Sequence, residues 1–219
     1  MDSRPSGCIC SLQKGTNIPF FCWHTKNAGE RPVEREYLDK AVRTVKPGNR
    51  IMFGGLIMKK IGIVMGSDSD LPIAEKAAST LKELGVPFEV HVYSAHRTPE
   101  AAAEFSSSAR ERGFGAIIAF AGKAAHLAGA LAANTCLPVI GVPVKSSNLD
   151  GIDALLSTVQ MPSGIPVATV AIDGAVNAAL LSCQMLAIED AELAERLKNK
   201  READAKKVLE KDAAISAKF

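Results

Sequence analysis

The sequence has few of the features that mark membrane-spanning, secreted or disulfide-stabilised proteins. None of its apolar runs reaches the roughly 18 residues that a membrane span needs. The N-terminus lacks the charged, apolar and small-residue series of a secretory signal. Cysteine is sparse, and Cys136 and Cys183 lie in apolar or small-residue surroundings. We therefore expect a cytoplasmic protein that does not act on a membrane.

The sequence also has little excess charge, and its net charge of +2 is unevenly distributed. Residues 1–57 hold 9 Lys and Arg against 5 Asp and Glu, which leaves residues 58–219 with 17 of the chain's 26 basic and 19 of its 24 acidic residues. In that larger part, basic and acidic residues are interleaved, whereas nucleic-acid binding by counterion release needs a dense basic face. We expect no nucleic-acid partner.

Residues 1–57 differ in composition from the rest of the chain. They show no sustained strand or helix period apart from a short stretch at 34–45, and the G-G-L-I-M sequence at 54–58 fits a translated ribosome-binding site before a start at Met58. We predict an N-terminal extension over 1–57, disordered or a mis-assigned start, and a main domain over 58–219. The pairs Cys8/Cys10 and Cys22/His24 fail the usual zinc-ligand spacing, so we predict no metal site.

From residue 60 onwards, short apolar runs alternate with amphipathic stretches. Strands that are apolar on both faces and separated by helices favour a parallel sheet with right-handed crossovers, covered by helices on both sides. The pattern predicts an α/β fold, a flavodoxin-like three-layer sandwich with a five-stranded parallel sheet. The predicted strands are 60–66, 87–93, 115–121, 138–144 and 165–172, and the predicted helices are 71–85, 99–112, 124–134, 151–160 and 174–188.

The last thirty residues are rich in Ala, Glu and Lys and have few apolar positions. They predict an extended C-terminal helix whose apolar stripe is too thin to stabilise it without a partner surface. A solvated, partly frayed helix is the alternative, since charged runs commonly face water. The apolar positions are Leu193, Leu197, Val208 and Leu209.

The first strand ends in the turn G-S-D-S-D at 66–70, which supplies hydroxyls and free amides at the start of a helix. Such a turn can cradle an anion. It is equally compatible with plain N-capping, in which Ser and Asp satisfy the helix amides without a ligand. Because the carboxyl ends of parallel strands meet at one edge of a sheet, this turn should lie beside the turn after the second strand.

The second strand is followed by S-A-H-R-T-P at 94–99. Thr98 reads as the N-cap and Pro99 as the first helical residue, which leaves His96 and Arg97 in the loop before the helix. An imidazole can exchange protons near neutral pH, and a neighbouring guanidinium suits an anionic substrate. His96 is therefore the candidate general acid and base.

The third turn places small residues, Lys123 and His126 beside another helix start at the same edge. Small residues let the backbone approach a flat ligand, although helix packing through Ala and Gly is the competing interpretation. The chain lacks a Walker loop, a dinucleotide fingerprint and a compelling Ser-His-Asp or Cys-His order. Proton transfer is thus favoured over covalent and metal catalysis.

Together with A-A-H-L at 124–127 and L-L-S-T-V-Q-M-P at 155–162, these motifs closely resemble the PurE family and, within it, the bacterial class. The resemblance covers about residues 59–215. It implies an enzyme of purine synthesis that uses neither ATP nor a cofactor. The implied reaction moves a carboxylate from the exocyclic nitrogen of N5-carboxyaminoimidazole ribonucleotide to ring carbon 4, giving 4-carboxy-5-aminoimidazole ribonucleotide.

The resemblance also implies roles for individual residues. His96 would be the acid and base, and the family's octamers would give the C-terminal helix a subunit contact. Ser67, Ser69, Asp70, Ser94 and Arg97 would bind ribose and phosphate, Gly122 and His126 would lie near the base and carboxylate, and Lys123 and Leu127 would complete the substrate-binding set.

Lys123 and Ala128 depart from the bacterial pattern, which usually reads G-G-A-A-H-L-P-G where this chain reads G-K-A-A-H-L-A-G. A sister class of carboxylases that use free carbon dioxide tends to have Lys after the histidine and to lack A-A-H-L, so Arg97 and His126 favour the mutase. Two alternatives remain: that carboxylase, and a non-enzymatic flavodoxin-like module that binds a nucleotide or flavin.

Overall fold

The computed structural model describes residues 58–146 and 149–219, together with two short strands, β1 (Met52–Phe53) and β2 (Leu56–Ile57), that pair antiparallel. The predicted extension over 1–57 otherwise lies outside the described residues, as do its cysteines and His24. Its nature stays a prediction.

The described residues form a five-stranded sheet in which every pairing is parallel, in the order β4-β3-β5-β6-β7. Counted within this sheet, the order is 2-1-3-4-5, which is the flavodoxin-like arrangement, so the predicted fold class is confirmed. The strands are β3 (Lys60–Met65), β4 (Phe88–Val92), β5 (Phe114–Gly122), β6 (Val139–Val144) and β7 (Ala168–Thr169). The helices are α1 (Leu71–Glu83), α2 (Pro99–Ser108), α3 (Leu127–Ala132), α4 (Ile152–Val159), α5 (Ala175–Leu186) and α6 (Ala191–Ser216).

Alternate residues of the central strands face opposite helix layers, because successive side chains of a strand point to opposite sides. Ile61 and Ile63 of β3 belong to one buried cluster with residues of α1 and α5. Val64 of the same strand belongs to a second cluster with residues of α2 and α3. The sheet is therefore the middle of three layers, and each face has its own core.

The last predicted strand, 165–172, is wrong in length, since β7 contains only residues 168 and 169. The carbonyl of Pro143 in β6 faces this edge and accepts a hydrogen bond from Asp173 N at 2.9 Å. Proline has no N–H to donate beside that carbonyl, so the ladder between the two strands cannot continue. Two helix boundaries shift by three residues or more: α2 ends at Ser108 rather than 112, and α3 begins at Leu127 rather than 124.

The extended C-terminal helix is confirmed as α6, which the Asp190 side chain caps by accepting a hydrogen bond from Leu193 N at 2.9 Å. Leu193 and Leu197 are buried in the cluster shared by α1 and α5. Every residue from 201 to 219 is exposed. The described residues include no helix that is both long and apolar enough to cross a membrane.

A methyl group at Gly141 should destabilise the fold, because this β6 position lies directly under α4. A Cβ there would collide with Thr158 Cγ2 and lie 3.1 Å from Val167 Cγ1. We expect Gly141→Ala to cost about 1–3 kcal/mol and to lower the melting temperature by about 2–4 °C per kcal/mol.

Thermal unfolding of Gly141→Ala, Thr158→Ser and the double variant measures this effect. Serine removes the colliding methyl and keeps the hydroxyl that donates to Ala154 O at 2.7 Å. The double variant should therefore be more stable than additivity predicts. Equal stability of Gly141→Ala and the parent chain would contradict the packing described here.

Candidate active site

The loops that follow β3, β4, β5 and β6 border one cleft of about 610 Å³. The cleft lies where the chain order reverses between β4, β3 and β5, which is the usual ligand position in open parallel sheets. All ten residues singled out in the sequence line it: Ser67, Ser69, Asp70, Ser94, His96, Arg97, Gly122, Lys123, His126 and Leu127.

The first loop is a serine turn whose hydroxyls are engaged with their own backbone. Ser67 Oγ accepts a hydrogen bond from Ser69 N at 3.3 Å and donates to Asp68 Oδ1 at 3.0 Å. Ser67 therefore caps the short 3₁₀ turn over Asp68–Asp70 that leads into α1. The capping alternative from the sequence is realised, and the same serines face the cleft.

Asp70 is a carboxylate in an unusually buried place, with only 6% of the residue exposed. Burial disfavours the charged form and raises the pKa of Asp70, and the nearby carboxylates of Asp68 and Asp173 raise it further. A hydrogen bond donated by Ser69 Oγ to Oδ1 at 3.4 Å opposes this shift. A carboxylate kept desolvated at a cleft wall is suited to accept hydrogen bonds from ligand hydroxyls.

In the second loop, the Thr98 hydroxyl bonds to the loop's own backbone and does not cap α2. Thr98 stands at the N-cap position, yet its Oγ1 accepts from Ser94 N at 2.8 Å and donates to Ser94 O at 3.3 Å. Pro99 is the first helical residue, as predicted. These bonds hold residues 94–98 as a compact turn, and His96 within this turn lines the cleft.

Arg97 joins the second loop to the first. Its Nη2 donates to the Gly66 carbonyl at 3.0 Å, and its Nε donates to Ser94 Oγ at 3.4 Å. The remaining guanidinium N–H groups are free to bind an anion together with the serine hydroxyls. The two loops that the sequence placed at one edge are therefore in direct contact.

The third loop brings His126 to His96. His96 Nε2 and His126 Nδ1 are 2.9 Å apart, and the two rings meet edge to face with centroids 5.0 Å apart. Between neutral rings, one nitrogen must donate and the other accept, so the tautomers of the two histidines are coupled. Sequence reasoning named both residues but did not predict their contact.

Lys123 departs from the family pattern at a position with a left-handed backbone. Its φ of 55° lies in the region that glycine adopts freely and that costs other residues about 1–2 kcal/mol. Ala128, the second departure, is buried in the core cluster beside α2. The loop is thus strained at Lys123 and anchored in the core at Ala128.

Two polar cleft residues were missed from the sequence, namely Lys145 and Ser146 after β6. The rule that parallel strands end at one edge could have found them. Lys145 Nζ pairs with Asp150 Oδ1 at 2.9 Å, and this partner raises the pKa of Lys145. Lys145 N donates to Asp173 Oδ1 at 2.9 Å. Across the described part of the chain, we find no group of three His, Cys, Asp or Glu placed to hold a metal ion.

A comparison with known protein families identifies the family of this chain. The family model described as AIR carboxylase matches residues 60–207. The chain belongs to the AIR carboxylase family. The resemblance to PurE proteins seen in the motifs is therefore confirmed.

Curated relatives include proteins named as mutases and proteins named as carboxylases. Proteins named N5-carboxyaminoimidazole ribonucleotide mutase are 58% identical in Pyrococcus horikoshii, over 69% of this chain and 85% of the relative, and 53% identical in Thermotoga maritima, over 70% and 90%. The phosphoribosylaminoimidazole carboxylase of Saccharomyces cerevisiae is 57% identical over 62% of this chain, but that match spans only 24% of the yeast protein.

Among solved structures, Treponema denticola PurE superimposes with a TM-score of 0.64 at 32% identity. The match covers 71% of this chain and 98% of that one. The fold found here is therefore shared along nearly the whole length of a PurE protein.

Replacing Asp70 by Asn should stabilise the unliganded protein in a pH-dependent way. Because the folded state raises the pKa of Asp70, stability from this group is present at low pH and is lost as the pH rises through the folded-state pKa. Asparagine does not ionise, so Asp70→Asn does not lose stability as the pH rises. We expect its melting temperature at pH 7 to exceed the parent's by about 2–4 °C, which corresponds to roughly 1 kcal/mol, with the gap closing towards pH 3.5.

The matched control is Asp68→Asn, which removes an exposed carboxylate from the same turn. It should shift the melting temperature much less, because it relieves only the small repulsion between Asp68 and Asp70. A gap between Asp70→Asn and the parent that stays constant from pH 3.5 to 7 would show that burial of the Asp70 charge is not the cause.

Proposed function

We propose that this chain is an N5-carboxyaminoimidazole ribonucleotide mutase of purine biosynthesis. The observation that carries the proposal is the His96 imidazole, which lines the cleft beside Arg97 and the serine turn. The 53–59% identity to curated mutases supports the same activity. The enzyme converts its substrate to 4-carboxy-5-aminoimidazole ribonucleotide, an isomerisation.

The first and second loops, which Arg97 joins, bind the phosphoribosyl part of the substrate. Arg97 supplies planar paired donors to the phosphate, and the hydroxyls of Ser67, Ser69 and Ser94 add neutral donors. Asp70 accepts hydrogen bonds from the ribose hydroxyls. The aminoimidazole ring then lies towards the third loop, where Gly122 and Leu127 line the cleft next to His126.

His96 carries the proton through both halves of the reaction. As imidazolium it protonates the carbamate nitrogen, the N–C bond breaks, and carbon dioxide and aminoimidazole ribonucleotide form. Ring carbon 4 then attacks the carbon dioxide, a C–C bond forms, and the neutral imidazole removes the proton left on carbon 4. The proton returns to His96, so the reaction balances without a cofactor.

His126 acts as a positioning residue for His96. The 2.9 Å contact between their rings restrains the orientation of the His96 ring and couples its tautomer to that of His126. Holding carbon dioxide next to carbon 4 replaces a bimolecular encounter by an intramolecular one, which contributes a large share of the rate.

A carboxylase that uses free carbon dioxide is the second candidate, because the yeast relative bears that name. An assay of the full chain in bicarbonate-free buffer separates the two activities. We expect conversion of N5-carboxyaminoimidazole ribonucleotide without added bicarbonate. Turnover of the plain aminoimidazole ribonucleotide only when carbon dioxide is supplied would select the carboxylase, and turnover of neither would favour a binding module.

His96→Asn is the variant that tests the proton carrier in the same assay. Asparagine has similar reach and hydrogen-bonding capacity but cannot exchange a proton. We expect ligand binding within about threefold of the parent and turnover lowered by about 10²–10⁴-fold, the usual contribution of a general acid or base. Near-normal turnover would remove His96 from the mechanism.

We further propose that the enzyme is a cytoplasmic homo-octamer in which α6 lies at a subunit contact. The exposed residues 201–219 include Val208 at 63% and Leu209 at 68% exposure. The 26-residue helix α6 is stabilised when another subunit covers these apolar side chains.

Leu209→Asp should therefore weaken the assembly, because a carboxylate would be buried in the contact. Sedimentation of the full chain at micromolar concentration should show the octamer giving way to smaller species. Lys206→Asp, which places the same side chain at a position that is already charged, is the control and should stay octameric. An octamer that survives Leu209→Asp unchanged would place the contact elsewhere.

A further inference from the structure

The cleft is lined by three cationic side chains, and two of them already have a hydrogen-bond or ion-pair partner in the protein. Arg97 donates to the Gly66 carbonyl and to Ser94 Oγ, which holds its guanidinium beside the serine turn. Lys145 is paired with Asp150 at 2.9 Å. Lys123 is exposed and makes no hydrogen bond or ion pair with the residues that the structure describes. Its ammonium is therefore the one in the described cleft without a protein partner.

Lys123 also belongs to the loop that contacts His96. It precedes His126 by three residues on the third loop, and His126 contacts His96 at 2.9 Å. Whatever atom exchanges a proton with His96 must lie within hydrogen-bond reach of that ring. The third loop is thus next to the reacting atoms, while Arg97 serves the loops on the phosphate side.

We infer that Lys123 binds the carboxylate of the carboxylated ribonucleotide and makes the cleft distinguish carboxylated from uncarboxylated ligands. This inference rests on the proposed function. The phosphate is common to substrate, intermediate and product, so Arg97 cannot tell them apart. The carboxylate charge is present in substrate and product and disappears while the carbon is held as neutral carbon dioxide.

A cation that contacts the carboxylate stabilises the bound substrate and the bound product. It stabilises the intermediate state, in which carbon dioxide is neutral and free, less. Such binding lowers KM without raising kcat. Removing the charge of Lys123 should therefore raise KM and leave kcat unchanged or slightly increased. Loss of a residue that acts in the chemical step would lower kcat instead.

Calorimetric titration of the full chain with two ligands tests the inference directly. The ligands are 4-carboxy-5-aminoimidazole ribonucleotide and aminoimidazole ribonucleotide, which differ by the carboxylate alone. We expect Lys123→Gln to weaken binding of the carboxylated ligand by roughly three- to tenfold and to change binding of the other by less than twofold. Lys123→Arg should restore the preference, because it keeps the charge.

Lys76→Gln is the matched control, since it removes the same charge from an exposed position of α1 that does not line the cleft. It should leave both affinities unchanged. An equal loss for both ligands in Lys123→Gln, or no loss for either, would overturn the inference while leaving the proposed function intact. If the parent chain binds neither ligand, the proposed function fails and this inference fails with it.

Discussion

The parallel register of β3, β4 and β5 is the constraint on which the site depends. It brings the carboxyl ends of these strands to one edge, so three loops that are distant in sequence share one cleft. Two contacts then fix the loops against one another: Arg97 bonds to the Gly66 carbonyl, and the His96 ring meets the His126 ring. Had either neighbouring strand run antiparallel, its turn would lie at the opposite edge of the sheet, and no cleft of this composition could form.

Much of this arrangement could be predicted from the sequence because the signals are local. The apolar period predicted the layers, and Thr98-Pro99 located a helix start that left His96 and Arg97 in a loop. The length of β7 was not predictable in the same way, because it depends on which edge of β6 the Pro143 carbonyl faces. The contact between the histidines was missed for a similar reason. A sequence shows which residues follow a strand, but distances across loops are set by packing.

Unfavourable conformations and charges are concentrated around the cleft. Among the described non-glycine residues, Lys123, Asp150 and Asp173 have a positive φ and are therefore strained. Lys123 lines the cleft, and the two aspartates bond to Lys145, which also lines it. Asp70 adds a desolvated carboxylate. Such costs persist where the surrounding structure over-determines them, and they are common at sites shaped for a ligand rather than for stability. The cores on both faces of the sheet supply the stability that these positions lose.

The hydrogen bond between His96 and His126 also limits how many protons the two rings can share. An imidazole that carries both of its protons has no lone pair left to accept a hydrogen bond. The two rings can therefore stay bonded when together they hold two or three ring protons, but not when they hold four. The contact that joins the second and third loops therefore requires that at least one of the two rings be neutral.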